Sequence, residues 1–327
     1  MNLENRLFGG KRPVFLAPMA GVTDAPFRKL AIDFGASAAV SEMTSVEGIV
    51  RRNAKTLKRL PDAGERSLKI VQIVGSNPES AAESASINEE LGADVIDINM
   101  GCPVRKVVSC ESGAALMKNE DLAVKIAESV VKAVKIPVTL KMRLGWDGEH
   151  VNFLSLAEKF ENVGVRMLTI HCRTRNQMHG GKANWSLIGT LRDRIKIPYL
   201  CNGDIGSPED AVRALEESRA HGIMVGRAAL GRPWLPGQIL RFLNDGEIIP
   251  PPSLERQWQI IGEHFESVLN FYGEAGGVKI FRKHFCWYSS GLKGAARFRE
   301  IINGAEDISF IKSYAEDFYK RQFRAIL

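Results

Sequence analysis

Eight short apolar runs, each followed by a longer amphipathic stretch, constrain the fold of this chain more than any other feature. They are VFLAP (14–18), AAVSE (38–42), KIVQIV (69–74), DVIDIN (94–99), PVTLKMR (137–143), RMLTIHC (166–172), PYLCNGD (198–204) and GIMVG (222–226). Runs this short, bounded by turn residues, read as buried strands. The intervening stretches, such as PESAAESASINEELG (78–92) and NEDLAVKIAESVVKAVK (119–135), have helical periodicity, and Asn-Pro or Ser-Pro pairs, as at Ser207-Pro208, announce helix starts. Strands that alternate with helices build parallel sheets, because a parallel neighbour needs a crossover connection. A closed barrel and an open doubly wound sheet both satisfy that rule.

The position of the polar residues favours the barrel. Nearly every run finishes at its C-terminal end in a group useful for chemistry: Pro18-Met19-Ala20-Gly21, Glu42, Gln72, Asn99 and then Cys102, Lys141 and Arg143, His171, Asn202 and Asp204, Gly226 and Arg227. In a closed barrel those ends converge on one mouth. The expected fold class is therefore α/β, an eight-stranded parallel (β/α)8 TIM barrel covering residues 1–245.

NGDIGSPEDA (202–211) and VGRAALGRPW (225–234) follow the seventh and eighth runs and read as a phosphate site, with glycines for close backbone approach and Arg227 as a cationic fork. No G-x-G-x-x-G opens the first helix, so a dinucleotide fingerprint is unsupported. A mononucleotide such as FMN fits better. Gln72, Lys141 and His171 could face its planar head, although each also has an ordinary structural reading.

NMGCPVRKVVSC (99–110) holds two cysteines separated by seven residues. That spacing has no second close pair and no histidine within it, so a zinc site is not expected. Five cysteines, an odd number, suit a reducing compartment better than a disulfide framework. With 45% apolar residues the chain has ample core material without staples, and no run approaches the roughly 20 residues of a membrane span. The N-terminus lacks a signal-peptide pattern, so a cytoplasmic protein is expected, with no membrane association and no stable protein partner implied. A net charge of +6 is compatible with a polyanionic partner, and RRNAKTLKR (51–59) would present a basic face on a helix, either as phosphate contact or as solvated surface.

After NDGEIIPPPS (244–253) the strand pattern stops. WQIIGEHFESVLNFYG (258–273) and ISFIKSYAEDFYKRQF (308–323) predict a small all-α domain over residues 254–327. Arg282, Lys283 and His284 stand beside Trp287 and Tyr288, a mixture suited to RNA, although rings at helical spacing read more readily as core.

APMAGVTDAPFR (17–28), VQIVGS (71–76), DINMGCPVRKV (97–107), TLKMRLGW (139–146), TIHCRTR (169–175), CNGDI (201–205), GRAALGRPW (226–234) and VKIFRKHFCWY (278–288) together resemble the B-type bacterial tRNA-dihydrouridine synthases, over essentially the whole chain. The resemblance implies an FMN barrel, a C-terminal helical domain that binds tRNA, and reduction of particular tRNA uridines to 5,6-dihydrouridine with NADPH, or NADH, as reductant. It carries the flavin contacts onto Pro18, Met19, Ala20, Gln72, Lys141, Asn202, Gly203, Asp204, Gly226 and Arg227, with His171 nearby. It also makes Cys102 the catalytic cysteine.

Saturating the uracil 5,6 bond needs hydride at C6 and a proton at C5, which the thiol of Cys102 can give from a loop stiffened by Gly101 and Pro103. Arg105 and Lys106 would lower that thiol's pKa if close, or grip RNA phosphate, or simply be solvated. Asn99, Arg173, Arg175, Arg282 and Lys283 complete the expected tRNA contacts. A second cysteine at 110 departs from the family pattern and is read as incidental. Cys172 and Cys201 are read as small packing residues.

Overall fold

The computed structural model describes residues 9–53 and 67–324. Most of the basic stretch at 51–59, including Lys55, Lys58 and Arg59, lies outside the described residues. Among the described residues nine strands form: β1 (Val14–Leu16), β2 (Ala38–Ala39), β3 (Thr44–Ser45), β4 (Ile70–Val74), β5 (Val95–Met100), β6 (Val138–Arg143), β7 (Met167–His171), β8 (Tyr199–Asn202) and β9 (Gly222–Val225). Every pair is parallel, in the order β2-β1-β9-β8-β7-β6-β5-β4-β3.

Both ends of that order belong to one stave. β2 pairs with β1, β3 pairs with β4, and between them Val40 bridges Ile70 while Ser41 N donates to Ile70 O at 3.0 Å. The sheet thus closes into an eight-staved barrel whose second stave is interrupted. Each of the eight apolar runs supplies a stave, and the run at 38–42 yields only the first half of its own.

Side chains along a strand alternate between faces, so residues two apart share the barrel interior. Its floor is an apolar layer of Phe15, Ala17, Ala38, Val40, Ile70, Val95, Met167, Leu200 and Met224. Two residues further along the same staves the interior turns polar, with Gln72 above Ile70, Asp97 above Val95, Thr169 above Met167 and Asn202 above Leu200. The opposite faces, among them Val71, Ile73, Ile96, Ile98, Leu140 and Met142, join one large core under the helices. Caps start those helices where the sequence indicates: Asn77 Oδ1 accepts from Ser80 N at 2.7 Å, Asn119 Oδ1 from Leu122 N at 3.1 Å and Ser207 Oγ from Asp210 N at 3.1 Å. Such a cap stabilises a helix by about 1 kcal/mol.

The last barrel helix, Leu235–Asp245, leads through a proline-rich segment to helices Leu254–Tyr272, Glu274–Tyr288, Ala295–Gly304 and Ile308–Arg324. These have their own core, rich in Phe265, Phe281, Phe285, Phe298 and Phe318. They dock on the first barrel helix, Ala25–Asp33, whose Phe27 ring lies 5.6 Å from each of the buried His264 and His284 rings. A second contact joins the loop after β9 to helix Glu274–Tyr288. Gly231, at φ 70°, passes so close to the Trp287 carbonyl that any side chain would collide with it. Among the described residues, no helix is long and apolar enough to cross a membrane.

Candidate active site

The C-terminal ends of the staves surround a cavity of about 580 Å³. Its wall includes Cys102, Asn99 and all the positions at which flavin contacts are expected: Pro18, Met19, Ala20, Gln72, Lys141, His171, Asn202, Gly203, Asp204, Gly226 and Arg227. Residues from seven of the eight runs, and from the turns after them, therefore meet in one place.

On one side of the cavity, polar side chains form a continuous chain. Thr139 Oγ1 donates to Asp97 Oδ1 at 2.7 Å, Gln72 Nε2 to Asp97 Oδ2 at 2.7 Å, and Asn99 Nδ2 to Gln72 Oε1 at 2.8 Å. Asn99 Oδ1 in turn accepts from the backbone N–H of Gly101 at 3.1 Å and of Cys102 at 2.9 Å. The strand register brings these residues together, since Gln72 and Thr139 flank Asp97 on the neighbouring staves. Arg143, two residues beyond Lys141 on β6, donates from Nε to Gly101 O at 2.8 Å and from Nη1 to the carbonyls of Thr174 and Met178. The turn carrying Cys102 is thus held by its N–H groups on one side and by a carbonyl on the other.

Burial sets the protonation states. It pushes the Cys102 thiol up, against the Val104 N–H and the charges of Arg143 and Lys141, so the thiol keeps its proton at neutral pH. Burial lowers the Lys141 ammonium to about 8, with help from Arg143, and lowers Arg143 to about 10. Burial and the neighbouring Lys141, Arg143 and Arg173 keep His171 neutral. Lys141 Nζ donates to Asn202 Oδ1 at 3.0 Å, and Asn202 Nδ2 to Met224 O at 2.8 Å.

The other side of the cavity suits a phosphate-bearing group. Gly203, at φ 120°, runs directly beneath His171, where an added Cβ would meet His171 Cδ2 at 3.0 Å and Ala183 Cβ at 3.1 Å. Among the described residues Asp204 is the sole carboxylate in the wall, and Arg173 neutralises it through Nη2 at 2.6 and 2.8 Å. Arg173 Nη1 and Arg175 Nε are buried donors without a hydrogen-bond partner. In the cavity wall itself Lys141, Arg143 and Arg227 outnumber the compensated Asp204, an excess of positive charge that suits an anionic ligand.

Some expected tRNA contacts lie elsewhere. Arg173 is 2% exposed, and its Nε and Nη2 also hold the carbonyls of Gly180 and Gly181. It therefore acts mainly as an internal strut rather than as an open contact at the mouth. Arg105 and Lys106 are exposed on the short helix Arg105–Val108, outside the cavity wall, and the cations that act on the thiol are Arg143 and Lys141 instead. Arg175 stacks its guanidinium over Trp146 at 4.5 Å, with Lys118 4.9 Å from the same ring. Arg282 Nη2 donates to Ala305 O at the end of helix Ala295–Gly304, and Lys283 Nζ donates to Gly21 O in the loop after β1. Tyr288 is core, its hydroxyl 3.1 Å from His264 Nδ1. Cys110 is exposed, while Cys172 and Cys201 are buried with sulfurs 3.6 Å apart.

Two titratable side chains of the cavity wall received no role from the sequence. Arg143 was legible only as one more polar strand end, although its spacing of two from Lys141 places it on the interior face. His179, whose ring stacks 6.2 Å from that of His171, sits in a loop where no periodicity points to it.

The dihydrouridine synthase (Dus) family model matches residues 15–322. A probable tRNA-dihydrouridine synthase of Rickettsia bellii is 46% identical, over 94% of this chain and 94% of its own length. The tRNA-dihydrouridine synthase B of Xanthomonas axonopodis pv. citri is 45% identical, over 90% of this chain and 88% of its own. Among solved structures, a 2-naphthoyl-CoA reductase complex superimposes with a TM-score of 0.54 at 14% identity, covering 70% of this chain and 49% of that one, a likeness of fold alone. The match of the family model across nearly the whole chain, together with the two relatives, shows that this protein belongs to the dihydrouridine synthase family.

Proposed function

We propose that the protein reduces uridines of tRNA to 5,6-dihydrouridine, with FMN held in the barrel mouth and NADPH, or NADH, as the reductant. One observation carries this reading: a protonated thiol, Cys102, stands in the same cavity wall as Lys141, His171 and the Gly203 and Gly226 loops, in a chain of the dihydrouridine synthase family. When bound, FMN supplies hydride for C6 of the uracil.

The chain's own residues do the rest. The backbones of Asn202–Asp204 and Gly226, with the Arg227 guanidinium, would hold the phosphate. Lys141, Gln72 and His171 would face the ring system, Lys141 as a positive charge steadied by Asn202 and His171 as a neutral hydrogen-bonding group. Cys102 gives its proton to C5, and the raised thiol pKa suits a donor that must stay protonated until the moment of transfer. A base stacked inside folded RNA cannot enter a cavity of this kind, so the target uridine must be extruded into it. Exposed Arg105 and Lys106, and Arg175 on its Trp146 platform, are the proposed phosphate grips around that entrance.

The test is mass spectrometry of tRNA from cells lacking the protein. Loss of dihydrouridine at defined positions, restored by the wild-type chain, is the expected result. An unchanged dihydrouridine map, or purified protein that takes up no FMN, would refute the proposal.

A further inference from the structure

We propose that Asp97, buried beneath the cavity and in contact with neither thiol nor ligand space, is the positioning residue that sets the Cys102 turn, acting through Gln72 and Asn99. The inference rests on the reading of Cys102 as proton donor and extends it.

The argument is one of hydrogen-bond polarity. Burial pushes the Asp97 carboxyl up, against the Gln72 and Thr139 hydrogen bonds and the Lys141 charge, but both of its oxygens are already acceptors: Thr139 donates to one and Gln72 to the other, so the group has no hydrogen to return to either partner. Gln72 must therefore turn its amide nitrogen toward Asp97, which leaves its oxygen toward β5. That oxygen accepts from Asn99 Nδ2, so Asn99 must turn its own oxygen toward the backbone N–H groups of Gly101 and Cys102. One carboxylate thus dictates the orientation of two amides in succession. Without it either amide could turn over, and Asn99 would then present N–H to N–H at the turn that carries the thiol.

Burial makes the device rigid. Asp97 is 4% exposed, Gln72 1%, Thr139 1% and Asn99 7%, so water has little access to substitute for a missing partner. Asp97 and Asn99 lie two apart on β5, which puts both on the interior face at successive heights. The chain of contacts therefore climbs from just above the apolar floor to the mouth.

The polarity can be reversed by two isosteric substitutions, which gives a sharp test. Asn99→Asp keeps an acceptor for the Gly101 and Cys102 N–H groups but sets a carboxylate oxygen against Gln72 Oε1, which Asp97 prevents from turning. Asp97→Asn frees it: residue 97 now donates to Gln72 Oε1, and Gln72 Nε2 donates to residue 99. The double variant is again fully paired, with the wild-type formal charge. Asp97→Asn alone is mild, because its amide can still offer oxygen to Gln72 and nitrogen to the Thr139 hydroxyl.

The experiment measures kcat and KM for tRNA in the FMN-loaded wild type, N99D, D97N and D97N/N99D at pH 8.5. It also measures the rate of iodoacetamide alkylation at Cys102, mapped by peptide mass spectrometry, in the FMN-free proteins. A displaced proton donor lowers kcat about 100-fold in N99D while KM changes little. The double variant is expected within about tenfold of wild type, and Cys102 alkylation shifts in N99D and returns in the double variant. Wild-type kcat in N99D, or a loss that D97N leaves in place or deepens, would overturn the proposal. Dihydrouridine formation by the wild type is scored separately. Its absence refutes the functional reading, whereas the alkylation cycle still reports on the relay.

Discussion

Lys141 Nζ donates to Asn202 Oδ1 at 3.0 Å, joining β6 to β8 across the mouth and over the intervening stave. The bond steadies a charge whose burial is unfavourable. The folded pKa of about 8 lies below the ordinary 10.5, so the unfolded chain holds this proton more tightly. Stability consequently rises with pH between about 8 and 10.5, and below that window the charge is a constant penalty. Lys141→Met is expected to raise the thermal midpoint at pH 7 by about 2–5 °C, corresponding to about 1–2 kcal/mol, while abolishing FMN uptake. Scanning fluorimetry and flavin titration on one preparation check both halves, and a lower midpoint would contradict the assignment.

Cys102→Ala should separate the two half-reactions. FMN binding and NADPH oxidation persist, whereas dihydrouridine formation falls by about 100-fold to 10,000-fold. The thiol pKa is raised above the ordinary 9.0 by burial, so a loss of rate between pH 7 and 9 is expected to follow the Lys141 ammonium, at about 8, and a loss independent of Lys141 to appear only beyond pH 9, where the thiol ionises. Single-turnover oxidation of the reduced flavin by tRNA, followed across pH, reads this directly. Dihydrouridine formation at the wild-type rate in the alanine variant would show that the thiol is not the donor.

Arg173 and Asp204 should behave as one unit in flavin binding. Burial raises the Asp204 carboxyl, but the Arg173 bonds, the Ala183 N–H and Arg227 together bring it below its usual value. Arg173→Ala leaves that carboxylate beside the proposed phosphate site with its main partner gone. The FMN Kd is expected to rise at least about tenfold, equivalent to about 1.4 kcal/mol, and Arg173→Lys, which lacks the planar fork, should restore little of it. An unaltered Kd in the alanine variant would remove Arg173 from this role.

Acid should loosen the packing of the C-terminal helices. His264 is held down at about 3 and His284 well below its ordinary 6.5, both by burial first. Each is neutral in the fold and takes up a proton on unfolding, so stability falls as pH drops below 6.5, by up to about 1.4 kcal/mol per pH unit for each ring. Asp24, raised to about 6 by burial, opposes them, because the fold binds its proton first between pH 6 and 3.8. The expected net effect is a urea midpoint that drops between pH 6.5 and 4.5, with a shallower slope in His284→Leu. A midpoint flat across that range would refute the prediction.

The barrel was legible because its signals are local. Eight runs, their polar ends and the helix caps are all written within a few residues of one another, and the cavity wall follows from them. The interruption at 40–43 was not, since the run at 38–42 looks continuous and only pairing with β4 splits it. Nor was the relay below Cys102. Asp97 reads as a strand residue and Asn99 as a polar strand end and tRNA contact, and only the register that sets Gln72 and Thr139 on either side of Asp97 reveals what they touch. Arg173 shows the same limit from the other side. An arginine just beyond a strand end looks open to solvent until the loop at 180–181 and Asp204 are seen to enclose it.

The docking of Phe27 against the touching rings of His264 and His284 joins the beginning of the chain to its end. During synthesis the first barrel helix leaves the ribosome long before the residues that cover it exist, so its outward face stays wet while the entire barrel is translated. The nascent barrel can close its staves, yet it reaches its final form only when the last four helices swing back onto that helix. Chains cut short after residue 253 would therefore expose a greasy stripe at their N-terminal end, a substrate for chaperones and proteases rather than a smaller working enzyme.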